Sequence, residues 1–121
     1  MSSESSRRII ESHFAAFNRH DAVALLEGLA DDVVWVTGTD VFRGRAELTE
    51  LFDEWLWNTQ PRIDVLRLIA DGEQVAAECV EHMTVDGTPR AFPMGAFFEL
   101  RGGLLRSVKV FREGTADLAA C

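Results

Sequence analysis

Hydrophobic residues in the first half of the chain recur mostly with the period of an α-helix. Residues 4–18 are predicted as a first helix with one apolar stripe, formed by Ile9, Ile10, His13, Phe14 and Phe17. Asp21 is the expected N-cap of a short second helix, which carries Val23, Leu25, Leu26 and Leu29. A third amphipathic helix ends near Asn58 and is predicted from Leu48, Leu51, Phe52, Trp55 and Leu56.

Strand-like segments account for most of the remaining chain. A β-branched run over residues 33–37 predicts one strand before the third helix, and residues 38–44 are predicted as a loop. Beyond the third helix the hydrophobic period changes to two, which predicts four strands over residues 62–70, 74–85, 90–100 and 104–112. The pair Asp86-Gly87 is a strong hairpin signal. This order predicts an α+β fold, with three helices on one face of a curved, mostly antiparallel sheet.

Alternation along the strands predicts which side chains face the helices. On the strand over 75–85 the more apolar face contains Cys79, Glu81 and Met83, so Glu81 is expected among apolar neighbours. On the following strand the inward face is formed by Phe92, Met94, Ala96, Phe98 and Leu100. The strand over 104–112 stays ambiguous, because both of its faces mix apolar and basic residues.

Three polar side chains are predicted to point toward the core. Trp35 and Thr37 share a face of the first strand, His13 lies on the apolar stripe of the first helix, and Glu81 faces inward. A purely structural core avoids unpaired polar groups, so this inward polarity is the indication of a site. If Glu81 is unpaired there, burial favours the neutral acid, whereas direct contact with His13 or Arg112 favours the carboxylate.

Composition narrows the class of protein. The chain has 121 residues, 47% of them hydrophobic, and a formal net charge of -8, which fits one globular domain over residues 1–121. Such a surface repels phosphate backbones and anionic lipid, so nucleic acid and membrane partners are disfavoured. Cys79 and Cys121 form neither a disulfide framework nor a metal spacing, and no signal peptide is recognised. A cytoplasmic location, without metal or other cofactors, is therefore expected.

Four segments together form a familiar pattern: His-Phe-Ala-Ala-Phe-Asn-Arg-His-Asp at 13–21, Leu-Ala-Asp-Asp-Val-Val-Trp at 29–35, Phe-Arg-Gly-Arg-Ala at 42–46 and Gly-Ala-Phe-Phe-Glu-Leu at 95–100. They resemble SnoaL-like domains, which are relatives of ketosteroid isomerase and limonene epoxide hydrolase in the nuclear-transport-factor-like superfamily. The resemblance spans essentially the whole chain. It implies a cone-shaped mixed sheet around one central pocket and a homodimer formed through the outer sheet face.

The resemblance retains few of the relatives' catalytic positions. The general-base carboxylate of the isomerase falls on Thr37, its tyrosine donor on His13 and its second acidic donor on Ala96. Of the epoxide hydrolase triad, two aspartates and an arginine, one aspartate position is acidic here, at Glu81. Classical steroid isomerase chemistry and the epoxide hydrolase triad are therefore both disfavoured.

Two interpretations of function remain open at the level of the sequence. The first is a cofactor-free isomerase, cyclase or lyase acting by proton transfer on a small apolar, polyketide- or terpenoid-like compound, with Glu81 and His13 as an acid/base pair. The second is a non-catalytic ligand-binding or association module. In both cases the ligand is expected to contact Phe17, Trp35, Thr37, Trp55, Cys79, Met83, Met94, Ala96 and Phe98.

Overall fold

The computed structural model describes residues 2–112, except for the side chains of Trp55 and Leu56. Helix α1 spans Ser3–Asn18, α2 spans Ala22–Glu27, and α3 spans Gly44–Leu51 before it continues as a π-helical turn, Phe52–Leu56, and a 3-10 turn, Trp57–Thr59. The predicted N-cap of α2 is confirmed, because the Asp21 carboxylate accepts a hydrogen bond from the Ala24 N–H at 3.1 Å. The three predicted helices are present.

Within residues 2–112, six strands form one mixed sheet that is not closed: β1 Leu29–Thr37, β2 Asp40–Arg43, β3 Arg62–Asp71, β4 Gln74–Val85, β5 Thr88–Arg101 and β6 Leu104–Arg112. Their order is β2-β1-β6-β5-β4-β3, in which β1 and β6 pair in parallel and the other neighbours are antiparallel. Three helices with this mixed, mostly antiparallel sheet confirm the predicted α+β fold.

Two predicted boundaries around β1 were wrong. The loop predicted over 38–44 contains β2, because Gly38 adopts a positive φ of 60° and turns the chain back so that Thr37 pairs with Asp40. The second helix ends before Leu29, since Gly28 forms its C-cap and Leu29 already belongs to β1. Strand β1 is therefore longer than predicted and reaches under the helices.

Helix α1 is fastened to the far strands of the sheet at both of its ends. Near its C-terminus the side-chain amide of Asn18 exchanges two hydrogen bonds of 2.8 Å with the backbone of Ile63. Near its N-terminus the buried hydroxyl of Ser6 donates to the carbonyl of Gly72 at 2.6 Å. These contacts hold α1 across β3 and β4. Within residues 2–112, no helix is long and apolar enough to cross a membrane.

Candidate active site

A cavity of about 510 Å³ lies between α1, the end of α3 and the inner face of the sheet. Most of its wall is apolar, formed by Phe14, Phe17, Trp35, Leu51, Ile63, Met83, Phe92, Met94, Ala96, Phe98, Val108 and Val110. The polar part of the wall consists of His13, Thr37, Thr39, Asp40, Glu81 and Arg112. A few polar groups in an otherwise apolar cavity of this size are typical of small-molecule sites.

Glu81 is held in this wall by Arg112. Strand alternation turns Glu81 of β4 inward, where the residue is 1% exposed. The guanidinium of Arg112, at the end of β6, donates from Nε to one carboxylate oxygen at 2.5 Å and from Nη2 to the other at 3.4 Å. This two-point contact compensates a charge that the apolar wall would otherwise leave unsolvated.

Thr37 completes a polar network with this ion pair. It lies at the end of β1, which runs parallel to β6, and its Oγ1 accepts a hydrogen bond of 2.5 Å from Nη1 of Arg112. The guanidinium is thus fixed on two sides, by Glu81 and by Thr37. Its side chain is still 31% exposed, so part of it remains accessible to a ligand.

His13 lies elsewhere in the same cavity, among aromatic rings. Its ring centroid is 5.5 Å from that of Phe98, 5.7 Å from Phe14 and 5.8 Å from Trp35. Burial lowers the pKa of His13 from 6.5 to about 4, so the imidazole is neutral near pH 7. The structure does not pair His13 with Glu81. Both carboxylate oxygens contact Arg112 instead, so a Glu–Arg ion pair stands where an acid/base pair was predicted.

The predicted ligand contacts are placed as follows. The cavity wall contains Phe17, Trp35, Thr37, Met83, Met94, Ala96 and Phe98, together with His13 and Glu81. That they contact a ligand stays a prediction. Trp55 belongs to the π-helical turn, and its side chain lies outside the described part of the structure, as does the whole of Cys121.

Cys79, which was predicted to contact the ligand, is not part of the wall of this cavity. Cys79 faces the helices as expected, but it is 2% exposed and packs into the hydrophobic core, where α1 covers β3 and β4. Burial, followed by the charges of Glu81 and Glu78, raises the pKa of the Cys79 thiol to about 11. The thiol is therefore protonated at neutral pH and unsuited to act as a nucleophile.

Arg112 and Asp40 are the charged wall residues that the sequence did not assign to the site, although Arg112 was named as an alternative partner of Glu81. The face of the sheet on which Arg112 lies is hard to predict, because a bulge at the start of β6 shifts the register. Glu99 pairs with Ser107, whereas Leu100 pairs with Leu105. Simple alternation cannot be carried through that shift. A signal was nonetheless available beyond it, since alternation puts Arg112 on the same face of the strand as Val108 and Val110, which are both apolar. Asp40 was not assigned to the site because its segment was predicted to be a solvated loop.

Within residues 2–112 no three His, Cys, Asp or Glu side chains lie close enough together to hold a metal ion. Among these described residues, the polar groups on the cavity wall are therefore a carboxylate paired with a guanidinium, a neutral imidazole, hydroxyls and the exposed Asp40 carboxylate. Such groups can accept or donate protons and hydrogen bonds to a small molecule.

A family model described as "SnoaL-like domain" matches residues 10–108. Among proteins with curated descriptions, none matches the chain by sequence.

Solved structures of low sequence identity share the fold. An LEH-like epoxide hydrolase from M. tuberculosis is 20% identical, with a TM-score of 0.83 over 92% of this chain and 84% of that one. The epoxide hydrolase/cyclase-like enzyme SalBIII, which acts in pyran ring formation in the polyether salinomycin, is 24% identical, with a TM-score of 0.82 over 91% and 92%. An NTF2-like protein from Burkholderia pseudomallei is 18% identical, with a TM-score of 0.83 over 94% and 93%.

Proposed function

The chain belongs to the SnoaL-like domain family, and from that premise we propose that it is a cofactor-free enzyme that removes a proton next to a carbonyl group of a small apolar compound. The observation that carries this proposal is the carboxylate of Glu81, 1% exposed in the wall of a 510 Å³ cavity and in contact with the guanidinium of Arg112. Isomerases and cyclases both use such a step.

Glu81 and Arg112 have complementary roles in this step. The Glu81 carboxylate takes the proton, and the electron pair of the broken C–H bond moves into the carbon skeleton, so that negative charge develops on the carbonyl oxygen. A guanidinium has five N–H donors, and Glu81 and Thr37 engage three of those of Arg112. The remaining donors can stabilise the enolate oxygen beside the base.

The fate of the enolate decides the outcome. If the protonated Glu81 returns its proton to a different carbon of the same compound, a double bond moves and the product is an isomer. If the enolate carbon instead forms a bond with the carbon of a second carbonyl group in the same molecule, a ring closes, the electron pair of that C=O bond moves to its oxygen, and the protonated Glu81 returns its proton to that oxygen. The apolar wall limits the access of water to the enolate in either case, so that protonation by solvent competes less with these two outcomes.

The test is proton exchange at an activated carbon, measured on a simple ketone. In D₂O, the wild-type protein is expected to accelerate deuterium incorporation at C1 of 2-tetralone, followed by proton NMR. Because general base catalysis contributes about 10²- to 10⁴-fold, Glu81→Gln should lower the catalysed rate by a factor in that range. Asp32→Asn is the matched control, since Asp32 forms a comparable ion pair with Arg101 on the surface.

Two results decide against the reaction. A wild-type rate equal to that of buffer, with binding of the ketone still visible in the NMR titration, would favour the non-catalytic ligand-binding module. A Glu81→Gln variant as fast as the wild type would exclude Glu81 as the base and leave the proposal without its central residue.

We propose separately that two copies of the chain associate through the outer face of the sheet. Phe97 and Phe111 are 54% and 60% exposed there and contact each other edge to face at 5.9 Å, and Ile69 is exposed on β3. Exposed apolar clusters of this kind mark interfaces. Sedimentation should show a dimer that Phe111→Lys dissociates, whereas Val23→Lys, at an exposed apolar position of α2, leaves it intact. A wild-type monomer at micromolar concentration would end this proposal.

A further inference from the structure

The cavity has polar side chains at two ends, and the described residues supply hydrogen-bond or ion-pair partners at only one of them. At the first end Glu81, Arg112 and Thr37 bond to one another. At the second end His13 forms ring contacts but no hydrogen bond or ion pair with any other described residue. The two ends therefore differ in what a ligand can add to them.

The strands set the separation between the two ends. His13 contacts Trp35 and Phe98, whereas the ion pair is anchored beside Thr37 and Met94. Thr37 is two residues from Trp35, and Met94 is four residues from Phe98. At about 3.3 Å per residue of strand, these spacings correspond to roughly 7 Å and 13 Å. Between the ends the wall is apolar, formed by residues such as Ala96 and Val110.

A neutral imidazole still has one N–H donor and one acceptor nitrogen. The neighbours Phe14, Trp35 and Phe98 offer hydrocarbon and aromatic surface, so they satisfy neither atom. No buried side-chain nitrogen or oxygen of the described residues lacks a hydrogen-bond partner, so the ring nitrogens of His13 are reached by water, which a ligand oxygen would replace. His13 also borders a shallow groove between α1 and α2, through which water is the competing partner.

We infer that His13 recognises a second oxygen function of the substrate, which is therefore an apolar, ring-sized compound with a carbonyl group at the Arg112 end and a hydroxyl or carbonyl group at the His13 end. The assignment of the carbonyl end depends on the proposed function. His13 is a positioning residue in this arrangement: it fixes the distance between the substrate's far end and Glu81, and it exchanges no proton with Glu81.

The test compares two ketones that differ by one hydroxyl group. 6-Hydroxy-2-tetralone carries its hydroxyl on the ring opposite the carbonyl, and 2-tetralone lacks it. One net hydrogen bond corresponds to about 3- to 10-fold in affinity, so the wild type should bind the hydroxylated ketone tighter by that factor in a calorimetric titration at pH 7. His13→Phe keeps the aromatic contacts and should make the affinities for the two ketones equal, so that their ratio falls to one.

His13→Gln keeps a donor and an acceptor, so it should restore part of the ratio if His13 acts through hydrogen bonding rather than through ring packing. Arg101→Gln, on the surface, should leave the ratio unchanged. Equal affinity of the wild type for both ketones, or an unchanged ratio in His13→Phe, would overturn the inference. The two proposals can fail separately. If the wild type binds the hydroxylated ketone tighter but does not accelerate exchange at C1, the catalytic proposal alone is wrong. If it accelerates exchange but binds both ketones equally, the inference about His13 alone is wrong.

Discussion

The two ends of the cavity handle an ionisable side chain in opposite ways. His13 is surrounded by Phe14, Trp35 and Phe98, and burial lowers its pKa to about 4, so it gives up its charge. Glu81 is at least as deeply buried, but it sits in a two-point contact with a guanidinium. Desolvation acts on both residues, but of the two only Glu81 has a partner of opposite charge among the described residues.

This difference shows that burial alone does not decide the state of an ionisable group in an apolar cavity. What decides it is whether another element brings a counter-charge to the same place. Arg112 lies 31 residues beyond Glu81, and the pairing of β5 with β6 carries it to the cavity. No element within residues 2–112 brings a comparable ion-pair partner to His13. Removing or adding partners at each end should therefore have very different consequences.

The largest expected effect is the loss of the guanidinium at the charged end. Arg112→Gln leaves the Glu81 carboxylate buried without a counter-charge. We expect a loss of about 3 kcal/mol in the free energy of unfolding at pH 7, the low end for buried pairs, because Arg112 is 31% exposed. Urea denaturation measures this change. Glu81→Gln made in the Arg112→Gln background should recover most of the loss, since it removes the stranded charge.

The surface pair Arg101–Asp32 is the matched control for that experiment. Its N–O distance is 2.6 Å, but its side chains are 55% and 63% exposed. Arg101→Gln should cost less than about 1 kcal/mol, as is usual for exposed ion pairs. Equal costs for Arg112→Gln and Arg101→Gln would mean that Glu81 is not stranded by the loss of its partner, and the contrast between the two ends would disappear.

The next effect concerns the neutral end and depends on pH. His13 has an ordinary pKa of 6.5 when unfolded and a pKa of about 4 in the folded chain. Between these values the unfolded chain binds more protons, so the free energy of unfolding falls as the pH falls from about 6.5 to about 4. The contribution of His13 to this loss is at most about 3 kcal/mol, because one pKa unit corresponds to about 1.4 kcal/mol.

Urea denaturation of the wild type and of His13→Phe across this pH range isolates the contribution of His13. The carboxylates titrate in both proteins, so their effects cancel in the difference. The wild type should lose stability relative to the variant as the solution becomes more acidic, and the two should keep a constant difference above about pH 7. Parallel curves down to pH 4 would mean that the imidazole becomes protonated in the folded chain as readily as in water.

The sequence predicts the neutral end better than the charged end, for a physical reason. Helical spacing and strand alternation are local signals, and they were enough to place His13, Trp35 and Phe98 on the inner surface. The same alternation turned Glu81 inward. What they could not give was the choice of its partner, because that depends on how β6 is registered against β5 after a bulge.

Other features of the site were not predicted from the sequence, for a related reason. Alternation gives the side of the sheet on which Cys79 lies, but not how much of that side α1 covers. The turn at Gly38, which brings Asp40 to the cavity wall, depends on one backbone conformation that a loop-like composition does not distinguish from a solvated loop. The face of the sheet on which a side chain lies is therefore predictable from periodicity, whereas its depth of burial and its bonding partner depend on long-range packing.

The smallest expected effect comes from Thr37, which supports the charged end without carrying charge. Thr37→Val keeps the shape of the side chain and removes the oxygen that accepts the hydrogen bond from Arg112. We expect a loss of about 1 kcal/mol, the usual net worth of one hydrogen bond, since the freed N–H can turn toward the cavity. Thr49→Val, which loses a hydroxyl bond on α3, is the control for the substitution itself. A loss as large as that of Arg112→Gln would show that Thr37, rather than Glu81, holds the guanidinium in place.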